Sequence, residues 1–122
     1  MTSRKGNIIG IPDSQKITIH DYKELKIFDT EEIIYLEANG RYTKVYFKNK
    51  NQIICAKLLK DFESVLTINF TRIHRSYMVN ISCITKIIDN KILELDDGTK
   101  LPIARRRFYL LKKRISNSMP IV

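Results

Sequence analysis

Phe70-Thr71-Arg72-Ile73-His74-Arg75-Ser76-Tyr77-Met78-Val79-Asn80 is the stretch on which the reading of this chain turns. Arg72, His74 and Arg75 fall within four residues and are followed at once by Ser76-Tyr77-Met78-Val79-Asn80-Ile81. At a strand's period of two, Tyr77, Val79 and Ile81 share one face, and the basic residues lie at or before the start of that strand. Alternation sets Arg72 and His74 on one face and Arg75 on the other, unless the strand bends there. An apolar anchor is thus joined to a cationic edge.

Upstream, short strands and short turns follow one another. Ile17 and Ile19 alternate with polar neighbours in Lys16 to His20, and Leu25, Ile27 and Phe28 predict a second strand ending at Asp29-Thr30. Ile33 to Ala38 is a third strand. Asn39-Gly40 turns it back into Tyr42 to Phe47, because Asn-Gly supplies the positive φ of a tight hairpin. Asn49-Lys50-Asn51 leads into Ile53-Ile54-Cys55. The period then changes: Leu58, Leu59, Phe62, Val65 and Leu66 form one stripe and predict a short helix over 57–66. Downstream, strands are expected at Phe70 to Ile73, Tyr77 to Ile81, Ile84 to Ile88, Ile92 to Leu95 and, after the Asp96-Asp97-Gly98 turn, near Leu101–Ile103. Ala104, Phe108, Leu111 and Ile115 make the stripe of a C-terminal helix over 104–115. The expected fold class is mainly β: an elongated sandwich of small antiparallel sheets with one short helix and a short C-terminal helix.

The chain has 122 residues, 43% of them apolar and 29% charged, which suits one globular domain with a modest core. Residues 1–11 read as a linker or tail, 12–116 as the domain and 117–122 as a frayed end. No apolar run approaches the roughly 20 residues that cross a bilayer, and nothing resembles a signal peptide, so the chain reads as cytoplasmic with no membrane partner. Charge is unevenly spread. Residues 1–38 hold 5 Lys/Arg and 7 Asp/Glu, whereas residues 39–122 hold 17 Lys/Arg and 6 Asp/Glu, a net of +11. Such asymmetry points to a polyanionic partner, although basic residues also solvate ordinary surfaces. Cys55 and Cys83 stand alone, outside any C-x-x-C pair, and read as buried small hydrophobes.

Three basic groups stand out. The first is Asn39-Gly40-Arg41-Tyr42 with Lys44. A hairpin tip projects from its strands, Arg pairs bidentately with guanine and Asn with adenine. A plain solvated turn carries the same residues, and Tyr42 equally begins the core of the next strand. The second group is Arg72, His74, Arg75 and Ser76, suited to phosphate and base-edge contacts together. His74 beside arginine resists protonation, so it reads as a neutral hydrogen-bonding group, structural rather than base-reading. His20, the other histidine, shares no ligand spacing with it, so no metal is expected. The third group is Arg105-Arg106-Arg107 at the start of the last helix. Arginines there meet phosphate well, yet they oppose the helix dipole, and a feature that costs local stability calls for a purpose.

No H-E-x-x-H, Walker loop, G-x-S-x-G or G-x-G-x-x-G occurs, and the pairs Glu31-Glu32 and Asp96-Asp97 have no neighbouring His or nucleophile. Neither a catalytic residue nor a cofactor is expected.

The central stretch resembles the F-x-R-x-H-R-S-[YF]-x-V-N signature of LytTR-type DNA-binding domains, output modules of bacterial response regulators. The likeness continues at Ile33-Ile34-Tyr35-Leu36-Glu37-Ala38-Asn39-Gly40-Arg41-Tyr42 and at Asp97-Gly98-Thr99-Lys100-Leu101-Pro102-Ile103-Ala104-Arg105-Arg106-Arg107. It implies a stack of small antiparallel sheets whose loops enter successive major grooves and bend the DNA. It carries base contacts onto the loop around Arg41-Tyr42, Arg75 and Arg105, and phosphate contacts onto Ser76 and Arg106. Combined with the charge reading, the base contacts are Asn39, Arg41, Tyr42, Arg75 and Arg105. The phosphate contacts are Lys44, Arg72, His74, Ser76, Arg106 and Arg107. Ala104 stands where the family usually has Ser, which removes one hydroxyl contact to the backbone. The implied partner is double-stranded DNA carrying direct-repeat sites, and a receiver or sensor domain accompanies the module in the family, so the chain is a stand-alone regulator or a fragment of a longer one. A basic β-rich module that binds an acidic protein is the alternative. RNA fits less well, since its A-form major groove is too narrow for these loops.

Overall fold

The structure, a computed structural model, describes residues 15–122; the expected tail at 1–11 lies outside the described residues. In chain order the elements are β1 (Lys16–Asp21), β2 (Glu24–Asp29), β3 (Ile33–Asn39), β4 (Tyr42–Phe47), β5 (Gln52–Cys55), α1 (Leu59–Glu63), β6 (Phe70–His74), β7 (Tyr77–Asn80), β8 (Ile84–Ile88), β9 (Ile92–Leu95), β10 (Lys100–Pro102) and α2 (Arg105–Ser118). A five-stranded antiparallel sheet of order β5-β4-β3-β7-β6 forms the middle layer. The β1-β2 hairpin and a three-stranded sheet of order β10-β9-β8 complete the β structure. The expected mainly β sandwich with two helices is what the chain forms.

The middle sheet is buried on both faces, and two separate apolar clusters result. Ile17, Ile19, Leu36, Val45, Phe47, Leu59, Phe62, Phe70 and Met78 pack on the face covered by β1-β2 and α1. Ile34, Ile73, Val79, Leu93, Leu95, Leu101 and Leu111 pack on the face covered by β8–β10 and α2. This explains why β7 is nearly continuous in apolar residues: Met78 serves one cluster and Val79 the other, and both are buried.

Two β-bulges adjust the sheet to that double duty. The register shifts between Ile33 and Tyr35 on β3, and between Arg72 and His74 on β6. Each bulge adds one isoleucine, Ile34 or Ile73, to the second cluster. The second bulge corrects the face assignment made by simple alternation. Arg72 pairs with Met78 and so lies on the α1 face, whereas His74 pairs with Tyr77 on the other.

Other boundaries differ for local reasons. The first helix is shorter than the expected 57–66: it starts where the Asp61 carboxylate accepts the Leu58 N–H at 3.0 Å, and the Leu66 N–H closes its end on the Phe62 carbonyl at 2.7 Å. Leu59, Phe62 and Leu66 are buried, while Leu58 and Val65 are exposed. Ile81, expected at the end of a strand, begins a 3-10 turn over Ile81–Cys83. Asn80 caps that turn. Its side chain accepts from the Ser82 N–H at 3.0 Å and the Asn69 amide at 2.9 Å, and donates to the Ile33 carbonyl at 2.9 Å. The last helix runs to Ser118, past the expected 115, with the Ser116 and Ser118 hydroxyls bonding back to the carbonyls of Lys113 and Arg114. Cys55 and Cys83 are both buried, one in each cluster, and burial pushes both thiols up, Cys83 to about 11. No helix among the described residues is long and apolar enough to cross a membrane.

Candidate nucleic-acid interface

The topology brings the three basic groups to one end of the molecule. β3 runs antiparallel to β7, with Glu37 opposite Tyr77, so the tip after β3 lies beside the turn before β7. A backbone bond from the Ala38 N–H to the Ser76 carbonyl, 2.8 Å, ties those two loops together. A second, from the Ala104 N–H to the Ile73 carbonyl at 2.8 Å, ties the start of α2 to the end of β6. Two hydrogen bonds therefore fix the spacing of all three groups.

In the β3–β4 hairpin, Asn39 pairs with Tyr42, which leaves Gly40 and Arg41 as the two-residue loop. Asn39 is therefore the last strand residue and not part of the turn proper. Gly40 has φ +62 and Arg41 keeps a negative φ, the pattern of a hairpin turn with glycine first. Asn39, Gly40, Arg41 and Tyr42 are exposed, and Lys44, opposite Glu37, is half-buried.

The β6–β7 turn consists of Arg75 and Ser76, with His74 opposite Tyr77. Arg75 is exposed, whereas Arg72, His74 and Ser76 are half-buried. The Ser76 N–H donates to Nδ1 of His74 at 3.1 Å. Nδ1 can accept only in the neutral ring, whose proton then sits on Nε2. Burial first, then the positive charges of Arg75, Arg107 and Arg72, hold the His74 pKa below its ordinary value, in keeping with that neutral form. Arg72 is engaged within the chain. Its guanidinium donates to Glu63 at 2.5 Å, to the His74 carbonyl at 3.1 Å and to the Arg75 carbonyl, so each of its three nitrogens has a partner within the chain. Glu63 carried no signal in the sequence beyond its charge.

At the third group, Arg105 and Arg106 are exposed and Arg107 is half-buried. α2 begins without a side-chain cap at Ala104 and with no acidic residue in its first turn. Its free N–H groups and three arginines make this corner strongly positive. The helix is held from further along: Arg114 donates to the Phe70 carbonyl at 2.8 Å, and Leu111 is wholly buried. Among the described residues no group of three or more His, Cys, Asp or Glu side chains is arranged to hold a metal.

The profile of the LytTr DNA-binding domain matches residues 23–116. The sensory transduction protein LytT of Oceanobacillus iheyensis is 33% identical over 78 residues, which are 62% of this chain and 31% of that protein. The chain thus spans about a third of that relative. Among solved structures, the LytTr DNA-binding domain of a Bacillus cereus protein superposes with a TM-score of 0.68 at 24% identity, over 80% of this chain and 94% of that one. At that identity the likeness speaks for the fold, and the family profile speaks for the kinship. The chain belongs to the LytTR family of DNA-binding domains.

Proposed function

We propose that this DNA-binding domain reads double-stranded DNA in a sequence-specific way through its three basic loops, and that it serves as the output module of a two-component transcriptional regulator. The observation that carries this reading is the tethering of the loops: two backbone bonds, Ala38 to Ser76 and Ala104 to Ile73, hold three arginine-bearing segments at one end. In the proposed complex Asn39, Arg41, Tyr42, Arg75 and Arg105 meet base edges in successive major grooves. Lys44, Ser76, Arg106 and Arg107 meet phosphate, and the neutral His74 offers its Nε2 proton to another phosphate oxygen. Loops fixed on one rigid face reach successive grooves of a straight duplex less well than those of a curved one, so binding bends the DNA. Direct-repeat sites and an attached receiver or sensor domain belong to the same proposal.

Selection from a random duplex library tests it, followed by binding of the selected and scrambled duplexes across a salt series. A consensus that binds at least about a thousandfold tighter than scrambled DNA supports specific reading. Equal, purely salt-dependent affinity for both would leave only a charged surface. Gel mobility of the selected site, moved along a fixed-length fragment, reads the bend.

A further inference from the structure

We propose that Arg72 is a positioning residue rather than a DNA contact, and that the Glu63–Arg72 pair presets the β6–β7 turn from which Arg75 reads a base. The proposal rests on the reading of that turn given above. Arg72 stands on β6 just before the bulge at Ile73, which leaves it on the α1 face. From there its guanidinium binds the carbonyls of both His74 and Arg75, the residues that lead into the turn. The planar fork suits this task because its donors diverge in fixed directions. On the opposite side His74 holds the Ser76 N–H. The turn backbone is thus clasped from both faces of the sheet, and the Arg75 side chain is the group left free to reach outward.

Glu63 completes the device. It is the last residue of α1, whose Leu59 and Phe62 are buried in the first cluster, so the helix that carries its carboxylate is held in place by the core. It binds Nη1 of Arg72, whose side chain is only 15% exposed against 40% for Glu63. A carboxylate so close to a DNA-binding face repels phosphate. Its presence there is explained if it keeps Arg72 folded inward on the turn.

Two isosteric or charge-conserving variants test the brace, Glu63→Gln and Arg72→Lys, with Arg72→Ala added for its salt slope and Arg75→Ala as the reference. Each is titrated with a duplex selected by the parent chain and with a scrambled duplex of the same composition, across a salt series and below its melting temperature. If the brace operates, both variants lose about tenfold in the selected-to-scrambled ratio, part of what a good base contact supplies. Their salt slopes stay at the parent value. Glu63→Gln is the sharper arm because it removes a negative charge, so a surface acting through charge alone would bind every duplex more tightly. The proposal is overturned if Glu63→Gln tightens both duplexes alike, if Arg72→Lys matches the parent, or if only one variant loses discrimination. It is also overturned if Arg72→Ala lowers the salt slope by about 1, the mark of a lost phosphate contact. Arg75→Ala separates this failure from that of the wider reading. If Arg75→Ala keeps full discrimination, the turn reads no base; if it loses discrimination and Glu63→Gln does not, the brace alone falls.

Discussion

The β6–β7 turn and the β3–β4 tip each present one arginine at the same end of the sheet, and they are held in opposite ways. The β6–β7 turn is bonded by side chains on both of its sides and by the Ala38 N–H at Ser76. The β3–β4 tip shares that last bond through Ala38 and otherwise depends on the strand ladder and on the positive φ of Gly40; among the described residues no side-chain hydrogen bond reaches Asn39, Gly40 or Arg41. A segment already fixed loses little entropy when it meets DNA, whereas an unbraced tip must be ordered by the contact itself. The difference teaches that similar arginines on neighbouring loops need not contribute equally.

The largest expected effect lies under the braced turn. Ile73→Ala empties a wholly buried position at the bulge and should cost about 2–5 kcal/mol of stability in denaturant titration. A loss below about 1 kcal/mol would mean that the turn does not rest on the second cluster. Next, Arg75→Ala should cost roughly 1–3 kcal/mol on a selected duplex while leaving stability within about 0.5 kcal/mol. Arg41→Ala should cost less than Arg75→Ala, and the reverse order would break the comparison. Gly40→Ala should destabilise by about 1 kcal/mol, through strain at φ +62 and not through collision, since no atom lies within 4 Å of the added carbon.

The smallest effect concerns pH. The folded state favours neutral His74, whose pKa is held below the ordinary 6.5 chiefly by burial. The stability that rests on the neutral ring is complete above that ordinary value and is lost as pH falls through it towards the lowered folded value. Melting temperatures at about pH 7 and pH 5 should therefore fall further for the parent than for His74→Gln, the carboxylates being common to both. Equal falls would remove His74 from the support of the turn.

Much of this fold was legible because its strands are short and sharply punctuated. Ile17 and Ile19 marked β1, and Tyr42 to Phe47 marked β4, each by alternation that the structure keeps. The helix that ends the domain followed from Phe108, Leu111 and Ile115, all of which pack on the second cluster. Bulges at Ile34 and Ile73 were not legible, because one extra apolar residue in a strand leaves no trace in composition. At Ile73 that single residue decided that His74 lies on the other side of the sheet from Arg72. The Arg72 partner Glu63 was equally hidden, since a contact nine positions apart, from a helix end to a strand, has no period to reveal it. The three arginine-bearing groups could be picked by charge and turn chemistry, and the family resemblance singled out Arg41, Arg75 and Arg105 within them; the inward turn of Arg72 needed coordinates.

The central claim is that three separate loops read three separate parts of one site. Its most direct test is a positional profile: every base pair of a selected duplex is substituted in turn and bound by the parent, Arg41→Ala, Arg75→Ala and Arg105→Ala. Each variant should relax preference in its own small group of positions and keep the parent's profile elsewhere. If all three variants weaken binding by the same factor at every position, the loops act only as diffuse positive charge and the account is contradicted.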